Sequence, residues 1–207
     1  MIARRACTAA FALAALASAA LSAPIDDAAA LYRSKHYAEA KAILAPLASA
    51  GKPDPAATYF LGMACLKLGG PSSLDDAHQW LGKAVKLAPE NAGYLADYAG
   101  VCLLLADRDN SLALAVEGRD SMTRAIAADP SDIDARQGLM RFYAKAPWPL
   151  GEPDKAVALA VDISRRAPSR AEEAFKSLAD SFDAAGRKER AAEARKMAAG
   201  LAPVAPK

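Results

Sequence analysis

The chain of 207 residues has the length of one domain, and its formal net charge is only +2. Apolar residues make up 53% of the sequence but aromatic residues only 6%, because alanine supplies much of the apolar fraction. Sheets are enriched in β-branched and aromatic residues, whereas alanine favours close-packed helices. The composition therefore predicts an all-α fold.

The first 22 residues have the three parts of a secretory signal peptide. Two arginines precede an apolar stretch over residues 6–17, and small residues then offer cleavage after Ala19 or Ser22. The apolar stretch is shorter than the ~20 residues that span a bilayer. We therefore expect residues 1–22 to be a cleaved signal peptide and the protein to be periplasmic or secreted. An uncleaved membrane anchor is the alternative, and membrane contact is expected only in that case.

The net charge of +2 belongs to this segment. Without Arg4 and Arg5 the chain is formally neutral, so it has no basic excess with which to release counterions from a nucleic acid. The sequence therefore excludes a nucleic-acid partner.

After residue 23 the sequence repeats a pattern of two helices followed by a proline. In the clearest copy, residues 55–91, the small residues Gly62 and Ala77 let two antiparallel helices approach closely. Pro89 lacks an N–H group and ends the second helix. The spacing in this copy reads Thr58-x2-Leu61-Gly62-x2-Cys65, then Ala77-x3-Leu81, then Pro89.

This spacing resembles the tetratricopeptide repeat, which reads W-x2-L-G-x2-Y, then A-x3-F, then proline. The resemblance implies a right-handed solenoid of about five helical hairpins that forms a single domain over residues 23–205. No copy has the signature tryptophan, and Arg195 replaces a large apolar residue on the last helix, where a terminal repeat needs a polar outer face. The five predicted repeats are residues 23–54, 55–91, 92–132, 133–171 and 172–205.

The third repeat is the longest, and its extra residues lie between its two helices. They amount to about two helical turns. We expect a longer second helix that begins near Asn110 or Ser111, since either residue is a suitable N-cap.

The fourth repeat contains the segment FYAKAPWPLGEPDKA, which resembles the same segment in exported bacterial members of the family. Pro147 and Pro149 are expected to end the first helix, because a residue before proline avoids helical geometry. Pro153 suits the first turn of the next helix. Trp148 is expected to fold back over its own hairpin. The alternative is that Trp148 anchors a second binding site along this edge.

No motif for catalysis, a metal or a cofactor occurs in the sequence. His36 and His78 lie in different repeats, outside any arrangement such as H-E-x-x-H, and are expected to be solvated. Cys65 and Cys102 occupy equivalent positions in consecutive repeats. Packed helices lie about 8–10 Å apart, whereas a disulfide needs Cα atoms within about 7 Å. Buried free thiols are therefore expected, with a disulfide as the alternative. The sequence predicts neither an enzyme nor a small-molecule substrate.

The resemblance places the first helix of each repeat along the concave side of the solenoid, where a protein or peptide partner would bind. The early part of this groove is apolar and aromatic and the later part is charged, which suits a peptide or helix with a hydrophobic and an ionic portion. For Met63 and Leu66, the alternative to facing the groove is that they pack against an adjacent repeat. The predicted function is a non-catalytic scaffold, adaptor or assembly factor in the periplasm. The predicted groove residues are Tyr32, Arg33, Tyr59, Met63, Leu66, Lys67, Leu103, Arg141, Lys145 and Lys176, with Asp97 and Asp180 beside them.

Overall fold

The computed structural model describes residues 24–201. The regular structure of these residues is helical, as the composition predicted. The predicted signal peptide, residues 1–22, lies outside the described residues, and its cleavage stays a prediction. The helices are α1 (24–33), α2 (Tyr37–Ala48), α3 (Pro55–Leu68), α4 (Ser73–Leu87), α5 (Ala92–Asp109), α6 (Leu112–Ala128), α7 (Ile133–Lys145), α8 (Pro153–Arg166), a 3-10 turn (Pro168–Arg170), α9 (Ala171–Ala184) and α10 (Lys188–Leu201).

Side-chain caps set where the first helices begin. The Asp54 carboxylate accepts hydrogen bonds from the backbone N–H groups of Ala56 and Ala57 at 2.8 and 3.0 Å, so it satisfies two donors at the start of α3. Asn91 and Asp132 cap α5 and α7 in the same way. These caps, with a proline in the first turn of α3 and of α8, explain why helices start at these positions.

The third repeat lengthens both of its helices. Ser111 is the N-cap of α6, and its hydroxyl accepts a hydrogen bond from the backbone N–H of Leu114. Asn110 instead ends α5 in the left-handed conformation at φ 49°, which asparagine tolerates better than most residues. Helix α5 has 18 residues and α6 has 17, against 14 and 15 in the second repeat. The second helix therefore takes up two of the six added helical residues, and the first helix, which was not expected to lengthen, takes up four.

The described residues divide into two compact units, unit 1 up to Pro89 and unit 2 from Glu90 onwards. In unit 1 the core lies between α1, α2 and α3, and α3 then packs on α4. Gly62 is the point of closest approach of α3 and α4, because a Cβ atom there would lie 2.9 Å from Cγ of Leu81. The buried core of unit 1 includes Ile25, Ala28, Ala40, Leu44, Ala48, Ala57, Leu61 and Cys65.

In unit 2 a continuous core joins α7, α8, α9 and α10. Met140, Ile163, Leu178 and Phe182 are its large fully buried side chains, and alanines fill the space where the helices approach each other. The hairpin α5–α6 follows the same pattern as α3–α4, since a Cβ atom at Gly118 would lie 2.8 Å from Cδ2 of Leu103.

Two ion pairs in unit 2 link the fourth hairpin, α7–α8, to residues that follow it in the chain. Asp134 in α7 binds Arg170 at 2.6 Å, and Asp154 in α8 binds Arg190 at 2.8 Å; both pairs are separated by 36 residues in sequence. Each aspartate lies in the first turn of its helix, where the helix dipole also favours a negative charge. In both pairs, an aspartate in the first turn of a helix binds an arginine 36 residues later. The aspartate belongs to α7 in the first pair and to α8 in the second.

Candidate functional site

A cleft of about 800 Å³ lies between α7 and α9 in unit 2. Both are the first helices of their hairpins, and they pack on each other. Their buried faces hold Met140 on α7 and Phe175 and Leu178 on α9, so the opposite faces turn polar side chains towards the cleft. The cleft is lined by Gln137, Arg141, Lys145, Ser169, Glu172, Glu173, Lys176, Ser177, Asp180, Ser181 and Ala184.

The α7 wall of the cleft carries two adjacent cations. Arg141 and Lys145 are exposed and lie four residues apart, so they project from the same face of the helix. Neither makes a hydrogen bond or an ion pair with any residue between 24 and 201. Their charges are therefore unpaired within the described residues.

The charges on the α9 wall are mostly paired. Nζ of Lys176 lies 2.6 Å from Oε1 of Glu172, and Nε of Arg170 lies 3.6 Å from Oε2 of Glu173. Asp180 is exposed and has no partner in the described part of the chain. The wall opposite Arg141 and Lys145 therefore presents one acid whose charge is not used within unit 2.

Polar contacts close the end of the cleft where α7 and α9 begin. Nη1 of Arg170 binds Asp134, and its Nη2 donates to Oε1 of Gln137 at 2.8 Å. Gln137 is buried, so this hydrogen bond fixes the orientation of its amide. The ordered arginine holds the two helices at a constant separation at this end.

The residues predicted for the groove lie in different surroundings along the chain. Arg141, Lys145 and Lys176 meet in the α7–α9 cleft together with Asp180. Leu103 is half-buried and lies against Gly118 of its own hairpin, so it packs inside the third repeat. Asp97, also in the third repeat, is half-buried on α5.

The aromatic residues predicted for the groove in unit 1 pack on one another. The Tyr32 ring lies 5.3 Å from that of Tyr37 and 5.7 Å from that of Phe60, and Phe60 lies 5.2 Å from Tyr59. These distances are typical of stabilising aromatic pairs. The other groove residues predicted in unit 1 are half-buried (Met63 and Leu66) or exposed (Arg33 and Lys67).

Trp148 contradicts the expectation that it folds back over its hairpin, because 88% of its surface is exposed. The Pro147 carbonyl accepts hydrogen bonds from the backbone N–H groups of Leu150 and Gly151 at 2.9 and 2.8 Å. This turn directs Trp148 away from the helices, and the Trp148–Pro149 peptide bond is cis. In the same hairpin, Nζ of Lys155 lies over the Tyr143 ring, 5.4 Å from its centroid.

The helix ends around this loop agree with the sequence analysis. Helix α7 ends at Lys145, and Pro153 occupies the first turn of α8. The sequence analysis missed Arg187, whose guanidinium donates to the carbonyls of Ala144 at 2.6 Å and Ala146 at 3.0 Å. No local signal marks this role, because the capped carbonyls belong to a helix end more than 40 residues earlier in the chain.

The buried thiols are confirmed as free. Cys65 in α3 and Cys102 in α5 form no disulfide. Burial raises the pKa of Cys65, and it raises the pKa of Cys102 to about 12. Burial, together with a hydrogen bond to Glu117 at 2.5 Å, also raises the pKa of Tyr98. These groups stay neutral near pH 7 and are inert as nucleophiles.

The two histidines differ in exposure. His36 is exposed as predicted, and its Nδ1 lies 2.9 Å from Oε1 of Glu39. His78 is half-buried on α4, so it is less solvated than expected. Both belong to unit 1, whereas the α7–α9 cleft belongs to unit 2.

Tandem helical hairpins with closing prolines are the architecture of tetratricopeptide-repeat proteins. The fold of this chain is therefore of the tetratricopeptide-repeat class. Comparison with solved structures supports this fold. A crystal structure of MamA matches with a TM-score of 0.68 at 19% identity, covering 87% of this chain and 90% of that one. MamA residues 41–end from Desulfovibrio magneticus RS-1 match with a TM-score of 0.65 at 19% identity, over 87% and 93%.

A thermophilic TPR protein of Thermus thermophilus matches with a TM-score of 0.60 at 21% identity, covering 89% of this chain and 92% of that one. These similarities show that the chain has the tetratricopeptide-repeat fold, as its repeat pattern predicted. No family model matches the sequence, and no curated protein does. In the part of the chain that the structure describes, we find no helix with the length and apolar character needed to cross a bilayer.

Proposed function

We propose that this protein is a non-catalytic interaction scaffold, an adaptor or assembly factor, that binds a peptide or helix of a partner protein and acts in the bacterial periplasm. The observation that carries the proposal is the open α7–α9 cleft. Its charged walls belong to rigid helices, and Arg141, Lys145 and Asp180 have no partner within residues 24–201. A preformed cleft between helices that offers unused charges is suited to a charged peptide.

The absence of catalysis is part of the proposal. Enzymes place groups with shifted pKa values in accessible clefts. Here the large upward shifts belong to Tyr98 and Cys102, which are buried on α5 and do not line the α7–α9 cleft. This distribution supports binding over chemistry.

Photo-crosslinking tests the binding site. A photoreactive residue replaces Ser177, which lines the cleft, and in a control it replaces Lys196, which is exposed on α10. In an envelope extract we expect defined protein adducts from position 177 and few from position 196. Equal adducts from both positions, or none from either, would contradict binding in the cleft.

The periplasmic location rests on the signal-like residues 1–22 and has its own test. N-terminal sequencing of the protein from a periplasmic fraction is expected to begin after Ala19 or Ser22. A start at Met1 in the membrane fraction would instead support a tethered interaction domain with an uncleaved anchor.

A further inference from the structure

The unused cations of the α7–α9 cleft have a defined spacing. With a rise of 1.5 Å per residue, Arg141 and Lys145 lie about 6 Å apart along the helix axis. Carboxylates spaced one turn apart on a helix, or two residues apart on an extended chain, have a similar separation of about 6–7 Å. Two acidic side chains of one short segment can therefore meet both cations at once.

The charges on the α9 wall disfavour a ligand that is negatively charged along its whole length. Glu172 and Glu173 already hold Lys176 and Arg170, so their charges are neutralised within the wall. Asp180 keeps its negative charge in the same cleft. A nucleic acid or polyphosphate drawn to Arg141 and Lys145 would be repelled by Asp180, whereas a segment with charges of both signs satisfies both walls.

We propose that the α7–α9 cleft binds a segment of a partner protein that carries two acidic side chains against Arg141 and Lys145 and a lysine or arginine against Asp180. This inference rests on the proposed scaffold function and adds the chemistry of the partner. The segment is recognised through its internal side chains, so a free chain terminus is not required.

Selection from a random peptide library displayed on phage tests the assignment. The baits are the wild-type protein, the cleft variant Arg141→Glu/Lys145→Glu, and the control Lys188→Glu/Lys196→Glu. Lys188 and Lys196 are exposed on α10 and have no partner among residues 24–201, so the control changes the net charge equally without touching the cleft. Circular dichroism and urea titration establish that all three proteins fold.

Wild type and control are expected to select the same sequences, with a pair of acidic residues and a nearby basic residue. A synthetic peptide of the selected sequence should bind the cleft variant at least about tenfold more weakly than wild type, which corresponds to ~1.4 kcal/mol. A peptide with lysines in place of its two acidic residues should recover binding to the cleft variant. With Asp180→Lys, a basic-to-acidic change in the peptide should likewise restore affinity.

The outcomes separate this inference from the proposed function. If selected peptides bind wild type and the cleft variant equally, the scaffold function stands and the charge assignment is wrong. If no peptide is selected by any of the three proteins, peptide binding itself is contradicted. If the cleft variant loses binding to single-stranded DNA as strongly as to the peptide, the site is a general anion site and the inference is overturned. If Lys145 pairs with Asp180 across the cleft, the selected peptides should show no preference for acidic residues. That result would also overturn the inference.

Discussion

The aromatic cluster of unit 1 and the charged cleft of unit 2 make different use of side chains that the sequence places in the same groove. In unit 1, Tyr32 and Tyr59 each contact Phe60, so part of their apolar surface is covered by packing. In unit 2, Arg141 and Lys145 remain without a partner in the described structure. Aromatic side chains on a helix surface can satisfy one another, whereas like charges cannot. The two adjacent cations of unit 2 therefore keep charge that is available to a partner, whereas the aromatic rings of unit 1 are partly covered.

The largest effect is expected from removing the centre of the aromatic cluster. Phe60→Ala deletes a ring that contacts both Tyr32 and Tyr59 and should lower the free energy of unfolding of unit 1 by about 2 kcal/mol. Urea titration followed by the fluorescence of Trp80 in unit 1, in a Trp148→Phe background, measures it. Phe60→Leu is the matched control and should cost less. A loss for Phe60→Ala below about 0.5 kcal/mol would mean that the rings are free for a partner.

Acid is expected to weaken unit 2 selectively. Burial raises the pKa of Asp162, but hydrogen bonds from Arg166 and Arg136 outweigh it and hold the pKa below its usual value. Arg136 is buried and binds Asp162 at 2.9 Å, which links α7 to α8. Because the folded-state pKa is depressed, this stabilisation is fully present above about pH 4 and is lost as the pH falls further. The exposed carboxylate limits the effect to about 1 kcal/mol.

Hydrogen exchange measured by mass spectrometry, peptide by peptide, compares the effect of acid on α8 in unit 2 with its effect on α3 in unit 1. Between about pH 6 and about pH 3, protection corrected for the intrinsic rate should fall in α8. Arg166→Gln should make that fall smaller, because one of the two partners of Asp162 is removed. A fall of equal size in the wild type and in Arg166→Gln would show that groups other than Asp162 cause the loss of protection in acid.

Smaller still is the expected effect of the cleft cations on folding. Arg141→Ala/Lys145→Ala should change the free energy of unfolding by no more than about 0.5 kcal/mol, because both side chains are exposed and unpaired within the described residues. Urea titration by circular dichroism measures it. A loss of about 2 kcal/mol would assign these residues to the fold, which would remove the contrast with the aromatic cluster.

The smallest effect on folding is expected at Trp148. Trp148→Phe should leave the urea midpoint unchanged, because the side chain is 88% exposed. It should remove the emission component that acrylamide quenches most strongly and leave that of Trp80, which is half-buried and lies beneath Nζ of Lys83. Equal quenching before and after the change would contradict the exposure of Trp148.

The repeats could be read from the sequence because their spacing has simple physical causes. Gly62 and Gly118 are required where a neighbouring side chain approaches within 3 Å of a Cβ position, and Pro153 can occupy a first turn without loss of a hydrogen bond. The structure brings Arg141 and Lys145 beside Lys176 and Asp180, because helical periodicity determines which face a residue occupies. That these residues form a binding groove stays a prediction, as do the groove residues of unit 1 and the domain boundaries.

The features that the sequence did not predict depend on contacts between repeats or on loop geometry. The direction of Trp148 follows from hydrogen bonds of the Pro147 carbonyl, which no helical period encodes. Arg195 was predicted only as a polar residue on an outer face, and it pairs with Asp183 of the preceding helix. The role of Arg187 needed the three-dimensional position of a helix end more than 40 residues earlier in the chain.

That contact makes the order of unfolding non-local. Arg187 lies in the turn of the fifth repeat, yet it holds the last carbonyls of α7 in the fourth. Loss of the Arg187 contacts is therefore expected to release the end of α7, next to Lys145 and Trp148, although the change lies in a different hairpin. The turn between α9 and α10 thus acts as a latch on the end of the helix that carries the cations of the cleft.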